Sequence, residues 1–386
     1  MASTAHVLTL NSGSSTLKFG SFEVDAAGAV QLFAETVATL EPEAALVRIV
    51  EELAVIGRPA PGVIGHRVVH GGPLLRRHCF IDDEVLRQIQ ASAAFAPLHN
   101  ASALAFIHMA RQHFPGIPQV ACFDTGFHTD LPDLARVLPL DKALRGQGIQ
   151  RYGFHGLSLE SIVRQLGDDT STDVDASVAD GQPRQARSAL PERIVVAHLG
   201  NGASVTAVRC GRSVDTSMGL TPSGGVIMGT RSGDIDPGVL LQLLRKGGFD
   251  AAGLEELVDH RAGLLGISGL SSDMRQLHAA AATHPDAALA IAMFCASVRK
   301  QIAAMISVLD GLDLLVFTGG IGENDAAARA QICAGLSWIG IRLDESRNRS
   351  GSKAIHGLAS RCQVRVIASQ EDEQIARHAW ALLGGH

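Results

Sequence analysis

The chain has 386 residues, of which 46% are hydrophobic and 19% are charged, the composition of an ordinary soluble globular protein. This length exceeds the usual size of one hydrophobic core, so we expect two domains. A formal net charge of -6 argues against a general nucleic-acid binder. The six cysteines show neither zinc-site nor disulfide-framework spacing, and MASTAHVLTL lacks a signal-peptide pattern. Together these features favour a cytoplasmic protein with reduced thiols.

The first predicted element is a β-hairpin. An apolar strand over Val7 to Leu10 leads into the turn NSGSST and then into LKFGSF, which alternates in character. The turn offers Asn11 and several hydroxyl groups, and Lys18 follows closely. A polar, solvated turn would account for the serines as well as phosphate binding does, and Lys18 shifts the balance toward phosphate.

A helix over residues 41–56 and a strand over residues 63–69 are predicted next. Arg67 lies at the end of this buried strand and needs an anionic partner, which is either structural or a ligand. His66 and His70 have no acidic partner at metal-site spacing, so a metal role is the weaker interpretation for them.

A further helix over residues 82–94 ends where Pro97 interrupts it, and Asn100 is expected to cap the next helix. His99 therefore lies in a bend at a helix N-terminus. Asp124 directly follows a short predicted strand. Ligands bind at the carboxyl ends of strands in α/β sheets, which favours a metal-binding or catalytic role for Asp124. An Asp that only caps a turn is equally common.

The middle of the chain is less regular. His155, in RYGFHG, lies at a predicted helix start. Residues 168–193 are rich in Asp, Ser, Ala and Gln and show no apolar periodicity. We interpret them as an exposed, flexible insertion without chemistry.

The second half of the chain repeats the opening pattern. A strand over residues 194–197, the turn HLGNGAS and the alternating segment VTAVRCG predict a second hairpin, which indicates an internal duplication. Glycine lets backbone amides approach a phosphate closely. Arg231, in GTRSGD, has a planar fork that suits a phosphoryl or carboxylate group. For one such loop alone, an ordinary hairpin turn would be the better explanation.

A third loop of this type, TGGIGEND, follows a strand over residues 314–317 and opens a helix, where backbone amides bind anions. Upstream, Asp273 and Arg275 suit a ribose hydroxyl and an adenine face. The apolar helix over residues 287–309 carries charges at its middle and is expected in the core, not in a membrane. A C-terminal helix begins near Glu371 with acids that the helix dipole alone would explain.

Several enzyme signatures are absent from the sequence. It has no P-loop, no protein-kinase HRD and DFG set, and no GxSxG nucleophile elbow. Three phosphate-type loops in two similar halves instead indicate a nucleotide bound in a cleft between duplicated domains. That arrangement is typical of the actin-like and sugar-kinase-like superfamily.

Ten motifs in the same order closely resemble those of the acetokinase family of short-chain carboxylate kinases. They cover the chain from Val7 to about Asp325, with a weaker tail at SQEDEQIA. The motifs are NSGSSTLKF, GHRVVHGG, APLHN, FDTGFH, RYGFHG, HLGNGAS, SVDTSMGLTP, MGTRSGDIDPG, GLLGISGLSSDMR and FTGGIGEN.

The resemblance implies an α/β fold of duplicated ribonuclease-H-like domains from the actin and sugar-kinase superfamily, with the nucleotide cleft between them. Residues 1–150 would form the N-terminal domain, on which a C-terminal helix over about residues 372–386 packs back, and residues 151–371 the nucleotide-binding domain. The implied reaction is reversible transfer of the γ-phosphoryl group of ATP to acetate, which gives acetyl phosphate and ADP. The implied cofactor is Mg²⁺ or Mn²⁺, and the implied state is a cytoplasmic homodimer without nucleic-acid or membrane partners.

The resemblance also implies residue roles on the acceptor side. Asn11 and Glu371 would hold the metal ion, and Lys18 would neighbour the nucleotide phosphates. Arg67 and Arg231 would bind the carboxylate and the phosphoryl group in transfer. The other implied active-site residues are His155, which steadies the phosphoryl group, Asp124 as the active-site acid, and His99 in the same pocket. We expect Val69, Leu98 and Pro222 to form pocket walls that are small enough for a two- or three-carbon acid.

The ATP site implied by the resemblance is built from three loops. Its residues are His198, Leu199, Gly200, Asn201, Gly202, Asp273, Met274, Arg275, Gly320, Ile321, Gly322, Glu323 and Asn324.

Elementary chemistry favours direct in-line transfer. A short carboxylic acid is already ionised at pH 7, since it titrates near ~4 to 5 like Glu, so no general base is needed. Asp124 is then better explained as an anchor for metal or water, or as the residue that orients an arginine, than as a proton acceptor.

Three other functions fit parts of the sequence. The first is the same reaction with propionate or butyrate, because one methylene changes selectivity by only about 1 to 3 kcal/mol. The second is a regulatory ATP-binding protein without an acceptor, which the acceptor-side Arg67 argues against. The third is a metal hydrolase, which has no supporting ligand spacing and would use His66, His70, His99 and His155.

Some segments depart from the family pattern. PLLRRHC follows GHRVVHGG, where a more hydroxyl-rich, Lys-containing segment is usual. LSLES follows RYGFHG and lacks a second histidine that is common there. Gln370 precedes Glu371, where Asn or Asp is usual. None of these departures removes a residue that the chemistry needs.

Overall fold

The protein was analysed as a computed structural model, which describes residues 4–13, 16–38, 41–58, 60–95, 97–177 and 190–384. The chain forms two compact units. Unit 1 comprises Met1–Thr129, Phe154–Ser161 and Gln370–His386, and unit 2 comprises Asp130–Gly153 and Ile162–Ser369. The sequence suggests domain boundaries near residues 150 and 371. The units differ from this division in that Phe154–Ser161 belongs to unit 1 and Asp130–Gly153 belongs to unit 2.

The strands are numbered in chain order over the described residues. They are β1 Ala5–Ser12, β2 Leu17–Val24, β3 Ala29–Val37, β4 Val63–Val68, β5 Cys79–Phe80, β6 Gln119–Phe123, β7 Arg193–Leu199, β8 Ala203–Arg209, β9 Arg212–Thr216, β10 Leu314–Thr318 and β11 Gln363–Val366.

The helices are numbered in the same way. They are α1 Pro42–Val55, α2 Asp83–Ser92, α3 Pro97–His113, α4 Asp133–Arg136, α5 Lys142–Arg145, α6 Gly156–Ser177, α7 Pro237–Lys246, α8 Ala251–His260, α9 Gly263–Ser268, α10 Met274–Ala280, α11 Pro285–Leu309, α12 Gly319–Asn324, α13 Ala326–Ala334, α14 Glu345–Arg349 and α15 Glu371–Leu382.

The two sheets share one topology. In unit 1 the strand order is β3-β2-β1-β4-β6-β5, and in unit 2 it is β11-β10-β7-β8-β9. In unit 1 the antiparallel strands β1 to β3 are followed by the parallel strands β4 and β6. In unit 2 the antiparallel strands β7 to β9 are followed by the parallel strands β10 and β11. The predicted hairpins and the predicted internal duplication are therefore confirmed.

The unit 1 sheet is covered on both faces, as its nearly unbroken apolar strands require. On one face Leu8 and Ile64 pack against α1 and α3 through Ile49 and Phe106. On the other face α15 packs through Ile375 and its neighbours, as the prediction of a returning C-terminal helix requires.

The prediction for Asn100 is wrong. Pro97 begins α3, a position where its missing N–H costs nothing, so Asn100 lies inside the helix and is fully buried. Its side-chain amide instead forms two hydrogen bonds with the backbone of His70. Nδ2 donates to the His70 carbonyl at 2.9 Å, and Oδ1 accepts from the His70 N–H at 3.2 Å. Asn100 therefore fixes the chain just after β4.

In unit 2, α11 lies along β7 and β8, with Phe294 and Val298 fully buried. It is the one described helix that is long and apolar enough to cross a membrane, and its packing on this sheet is that of a core helix. The insertion predicted over residues 168–193 does not begin at residue 168, because α6 continues to Ser177. The ion pair between Arg164 and Asp168 stabilises the helix there, and residues 178–189 lie outside the described residues.

Candidate active site

Arg67 and Asp124 form a buried ion pair at the carboxyl end of the unit 1 sheet. Arg67 lies near the end of β4, and Asp124 directly follows the neighbouring parallel strand β6. The guanidinium Nε donates to Oδ1 at 3.1 Å, and Nη2 donates to Oδ2 at 2.6 Å. The two side chains are 14% and 2% exposed, so Arg67 has the anionic partner that its position requires.

The charges around this pair keep the guanidinium ionised. Burial alone would lower the pKa of Arg67, but Asp124, Glu371 and Asp372 raise it above its ordinary value. The pKa of Asp124 is raised, mainly because the carboxyl group is buried. Arg67 lowers this pKa, and the nearby carboxylate of Glu371 raises it. Because both carboxylate oxygens accept from Arg67, Asp124 is placed to orient the arginine.

Asn11 connects the same arginine to an acidic helix start. Arg67 Nη1 donates to Asn11 Oδ1 at 3.4 Å, and Asn11 Nδ2 donates to Glu371 Oε2 at 3.3 Å and to Asp372 Oδ1 at 2.9 Å. Burial raises the pKa of Asp372, and the charge of Glu371 raises it further. Carboxylate and amide oxygens are the ligands that Mg²⁺ prefers, and a cation would relieve the crowding of negative charge, so these residues fit the implied metal.

Two of the remaining unit 1 candidates, Lys18 and Val69, lie near the ends of strands β2 and β4. Lys18 is exposed on β2 and acts electrostatically on Asp372. Val69 is buried directly after β4. Leu98 and His99 belong to the first turn of α3, and their side chains lie outside the described part of the chain.

His155 lies next to Asp124 through the backbone. It is buried and has a left-handed backbone with φ of 61°, which is uncommon for a residue other than glycine. The following N–H, of Gly156, donates to the Asp124 carbonyl at 2.8 Å. A Cβ on Gly156 would lie 2.2 Å from that carbonyl oxygen, so the close approach requires glycine.

Unit 2 contains a cavity of about 730 Å³ at the ends of β7 and β10. Of the residues expected to bind ATP, eight line it: Gly200, Asn201, Asp273, Met274, Arg275, Gly320, Ile321 and Asn324. Three further lining residues, Ser272, His278 and Asp325, were not foreseen. The cavity therefore brings together three segments of the chain, of which the first and the last are more than 100 positions apart.

Backbone hydrogen bonds shape the first of these loops. His198 and Leu199 are buried at the end of β7, and the Gly200 N–H donates to the Gly202 carbonyl at 3.0 Å. The third loop approaches closely: a Cβ on Gly319, whose φ is 78°, would lie 2.8 Å from the Leu199 carbonyl oxygen. Glycine is required there for both conformation and space.

Other expected ATP-site groups are engaged within the protein. Glu323 Oε1 accepts from the N–H groups of Gly319 and Ser369, at 2.9 and 3.1 Å, so its carboxylate holds the loop. Gly322 is buried. Asp273 caps α10 and pairs with Arg275 at 2.6 Å.

Arg231 lies in a loop that α8 braces. Thr230 Oγ1 donates to the Asp259 carbonyl at 2.8 Å, and the Ser232 N–H donates to the Val258 carbonyl at 2.9 Å. The guanidinium Nη1 lies 3.5 Å from the Pro222 carbonyl oxygen. Both residues flanking Arg231 are thus fixed, and the expected pocket residue Pro222 is its neighbour.

Two histidines of the metal-hydrolase alternative, His66 and His70, are buried in unit 1. His66 is fully buried, and burial lowers its pKa to about 3. His70 is fully buried as well, accepts from the Gly72 N–H at 2.8 Å and stacks on Phe95 with ring centroids 5.0 Å apart. Both lie in the core of unit 1.

Comparison with known proteins identifies the family. A family model described as the acetokinase family matches residues 34–377. The chain is 45% identical over 327 residues to an acetate kinase of Synechococcus sp. (strain JA-2-3B'a(2-13)), covering 84% of this chain and 77% of that protein. This chain belongs to the acetokinase family. It is a kinase that transfers phosphate to a carboxylate.

Other acetokinase relatives agree in sequence and structure. A propionate kinase of Citrobacter rodentium (strain ICC168) is 43% identical over 316 residues, covering 81% of this chain and 75% of that protein. The solved propionate kinase of Francisella tularensis subsp. tularensis SCHU S4 has a TM-score of 0.83 at 33% identity, covering 98% and 100% of the two chains. The solved acetate kinase of Porphyromonas gingivalis has a TM-score of 0.78 at 30% identity, with the same coverage. The duplicated α/β fold is therefore the one expected from the sequence.

One acidic residue that lies in the Asn11 cluster, Asp372, was not singled out from the sequence. Asp372 neighbours Glu371, and the acids of this helix start were explained by the helix dipole. The signal that distinguishes it, its hydrogen bond to Asn11, joins positions far apart in the sequence.

Proposed function

We propose that this acetokinase transfers the γ-phosphoryl group of ATP to acetate reversibly, which gives acetyl phosphate and ADP. The observation that carries the proposal is the buried ion pair between Arg67 and Asp124. Nucleotide binding alone has no need for a buried arginine held at the end of a sheet in unit 1. A carboxylate-binding arginine does, because its charge and direction must be set before the acceptor arrives.

The reaction proceeds by direct in-line transfer. The acceptor is already a carboxylate at pH 7, so no residue has to remove a proton from it. Arg67 binds the carboxylate, and Asp124 orients Arg67. The main obstacle is repulsion between an anionic acceptor and the phosphates, which positive groups placed in advance offset.

Unit 2 supplies the nucleotide side. A cavity of about 730 Å³ lined by three glycine-containing loops suits a nucleotide, since small-molecule sites measure roughly 300 to 1,000 Å³. Arg231 stabilises the charge on the phosphoryl group during transfer, and His155 assists it. An arginine in that role contributes about 10³-fold or more in comparable phosphoryl transfers.

The enzyme uses Mg²⁺ or Mn²⁺. When bound, such an ion neutralises charge on the nucleotide phosphates. Asn11 and Glu371 would hold it, and we add Asp372 to this set because its carboxylate shares the Asn11 amide with Glu371. Lys18 adds positive charge at the same end of the sheet.

Propionate is the second candidate acceptor. It is favoured by the similarity to the propionate kinases of Citrobacter rodentium and Francisella tularensis. The buried Val69 is a pocket-wall residue in this proposal, and trimming or enlarging it would shift selectivity by roughly 1 to 3 kcal/mol per methylene.

The test is ATP-dependent acyl hydroxamate formation with formate, acetate, propionate and butyrate. The highest kcat/KM with acetate supports the proposal, and the highest value with propionate or butyrate keeps the mechanism and changes the acceptor. Failure to form hydroxamate with any acid, together with measurable MgATP binding, would favour the regulatory alternative. Light scattering on the same preparation tests the expected homodimer.

A further inference from the structure

Three titratable side chains meet in unit 1 beside the Arg67–Asp124 pair. Glu160 of α6 lies between His78, which precedes β5, and His378 of α15. The His378 Nε2 to Glu160 Oε2 distance is 2.6 Å, and the His78 Nε2 to Glu160 Oε1 distance is 3.5 Å. The two imidazole rings lie 4.0 Å apart between centroids. The mechanism proposed above uses none of these residues.

The cluster has the composition of a metal site, since its three ligand-type atoms all lie within 4.8 Å of one another. One hydrogen bond argues against that use. The Phe123 N–H donates to His78 Nδ1 at 3.0 Å, so the proton of the neutral imidazole is on Nε2. A metal needs the lone pair of Nε2, and it would have to displace this proton. The arrangement is therefore that of a carboxylate that faces the Nε2 atoms of two imidazoles.

The hydrogen bond from Phe123 follows from the shortness of β5. This edge strand pairs only Cys79 with Ala121 and Phe80 with Val120. The Phe123 N–H therefore has no partner on β5, because Phe123 lies beyond the last residue pair of this ladder. A buried backbone donor without an acceptor costs about 1 to 3 kcal/mol. The His78 imidazole takes the place of the missing strand residue.

Phe123 is the residue before Asp124, so His78 fixes the segment that carries the arginine's partner. Glu160 acts on the same segment from the other side, because its helix begins at Gly156, whose N–H donates to the Asp124 carbonyl at 2.8 Å. Glu160 thus lies 3.5 Å from His78 Nε2, and His78 accepts a hydrogen bond from the Phe123 N–H. The next residue in the chain, Asp124, accepts from Arg67.

We propose that His78 and Glu160 are positioning residues that hold the Phe123–Asp124 segment, and through it the Arg67 guanidinium, for carboxylate binding. This inference rests on the proposed function, since it assigns Arg67 to the acceptor. Neither residue touches the substrate in this account. Their effect is specific to the acceptor side.

The arrangement requires a neutral His78. A protonated imidazole would carry a proton on Nδ1 that faces the Phe123 N–H, and the hydrogen bond would be lost. The titratable groups that face His78 are Glu160 on α6 and His378 on α15, while β6 presents the amide and the ring of Phe123. The pKa of His78 lies below its ordinary value, mainly because of burial. Glu160 raises this pKa, and the nearby His378 lowers it. Burial raises the pKa of Glu160, but the two histidines outweigh it and bring it to about 2, so Glu160 is a carboxylate throughout the working range.

The first experiment compares His78→Ala with His78→Asn. Alanine removes the acceptor, whereas the Asn oxygen occupies nearly the position of Nδ1 and accepts from the Phe123 N–H. We expect His78→Ala to raise the KM for acetate by roughly 10-fold or more and to leave the KM for ATP within about 2-fold, since a small misplacement of a binding group is costly. His78→Asn should recover most of the loss. Equal changes in both KM values, or no difference between the two variants, would overturn the proposal.

The second experiment is the pH profile of kcat/KM for acetate. Wild-type activity should fall at acid pH as His78 becomes protonated, and this part of the decline should be absent in His78→Asn. Glu160→Gln should move the decline to lower pH, and His378→Asn should move it to higher pH, because the two groups act on the pKa of His78 in opposite directions. Identical profiles in wild type and His78→Asn would contradict the inference.

A third measurement needs no turnover. Histidine ¹⁵N NMR reports the tautomer and pKa of His78, and we expect a proton on Nε2 and a pKa below the ordinary value. A proton on Nδ1, or one equivalent of tightly bound zinc in the purified protein, would overturn the inference even if no hydroxamate were formed. Wild-type inactivity toward every acid would reject the proposed function instead, so the two failures are distinguishable.

Discussion

The side-chain amide of Asn11 donates to the carboxylate of Asp372 at 2.9 Å, across a sequence separation of 361 residues. This contact places the end of the first strand against the start of the last helix. It also links both residues to Arg67, whose Nη1 lies 3.4 Å from the Asn11 oxygen. The residues proposed to bind the metal and the acceptor in unit 1 therefore form one hydrogen-bonded cluster.

Asp372→Asn should raise the Mg²⁺ or Mn²⁺ concentration needed for half-maximal activity by roughly 10-fold, as loss of a carboxylate near a metal typically does. Glu371→Gln should have at least the same effect. Direct Mn²⁺ binding, followed by electron paramagnetic resonance, gives a readout besides activity. Glu373→Gln is the matched control, since Glu373 lies in the same helical turn and pairs with Arg377 at 2.9 Å. An equal effect of the control would show that general charge, and not metal binding, is responsible.

Asp124→Asn should lower kcat/KM for acetate by about 100-fold, because Arg67 loses the partner that directs it. The same change leaves a buried charge unpaired and should cost about 3 to 5 kcal/mol in the free energy of unfolding. Urea unfolding measures the second effect and kinetics the first. Asp83→Asn, which breaks an ion pair whose aspartate is 91% exposed, should change neither appreciably. Full activity of Asp124→Asn would exclude the orienting role.

Arg231→Ala should lose about 10³-fold or more in kcat while the protein stays folded and binds MgATP. The reason is that the arginine stabilises charge that develops only during transfer. Arg231→Lys should recover little, because a point charge does not reproduce the planar fork. Calorimetric titration with MgATP separates binding from turnover, and near-normal turnover would refute the role.

Gly263→Ala should reduce kcat strongly by displacing the Arg231 backbone. Gly263 has a φ of 60°, and a Cβ there would lie 2.3 Å from the Met228 oxygen and 2.7 Å from the Arg231 oxygen. Gly269 is the control, since its φ is 63° and a Cβ there meets nothing within 4 Å. Both variants carry the same conformational strain, so a larger loss of kcat in Gly263→Ala measures the clash. Similar losses in both would attribute the effect to strain alone.

Acid should destabilise unit 1 through His66. Its pKa falls from 6.5 to about 3 on folding because of burial, so the unfolded chain binds a proton that the folded chain does not. The stabilisation is present above pH 6.5 and declines as the pH falls toward about 3. The slope should be about 1.4 kcal/mol per pH unit from this one group. Urea unfolding at several pH values between 6 and 4 gives the slope of the free energy of unfolding against pH. This slope should be smaller in His66→Asn than in wild type by the contribution of about one proton. Equal slopes in the two proteins would contradict the assignment.

Much of the fold was predictable because its signals are local. Alternating and apolar runs predicted the strands, and the repeat of strand, small-residue turn and strand predicted two equivalent sheets. The glycine loops were predictable for the same reason: positions such as Gly319 need a backbone that other residues adopt only with strain. The motifs that carry the family resemblance are also continuous in sequence.

Errors arose where a residue's partner is distant in the chain. Asn100 has the chemistry of a helix cap, and only the approach of His70 shows that it is a buried brace inside α3. Asp372 was attributed to the helix dipole until the position of Asn11 was known. Glu323 stays a predicted nucleotide-site residue, and the structure adds that its carboxylate accepts from the backbone N–H groups of Gly319 and Ser369.

The sequence by itself determined the element order, the duplication, the family and most of the residues that carry charge and hydrogen-bonding groups to the site. Those properties depend on residue type and short-range spacing, which a single chain displays directly. The tertiary structure decided which groups are paired: Arg67 with Asp124, Asn11 with Asp372, and His78 with Phe123 and Glu160. Pairing depends on burial and on the convergence of strand ends and helix starts, and these arise only when the sheet forms and excludes water.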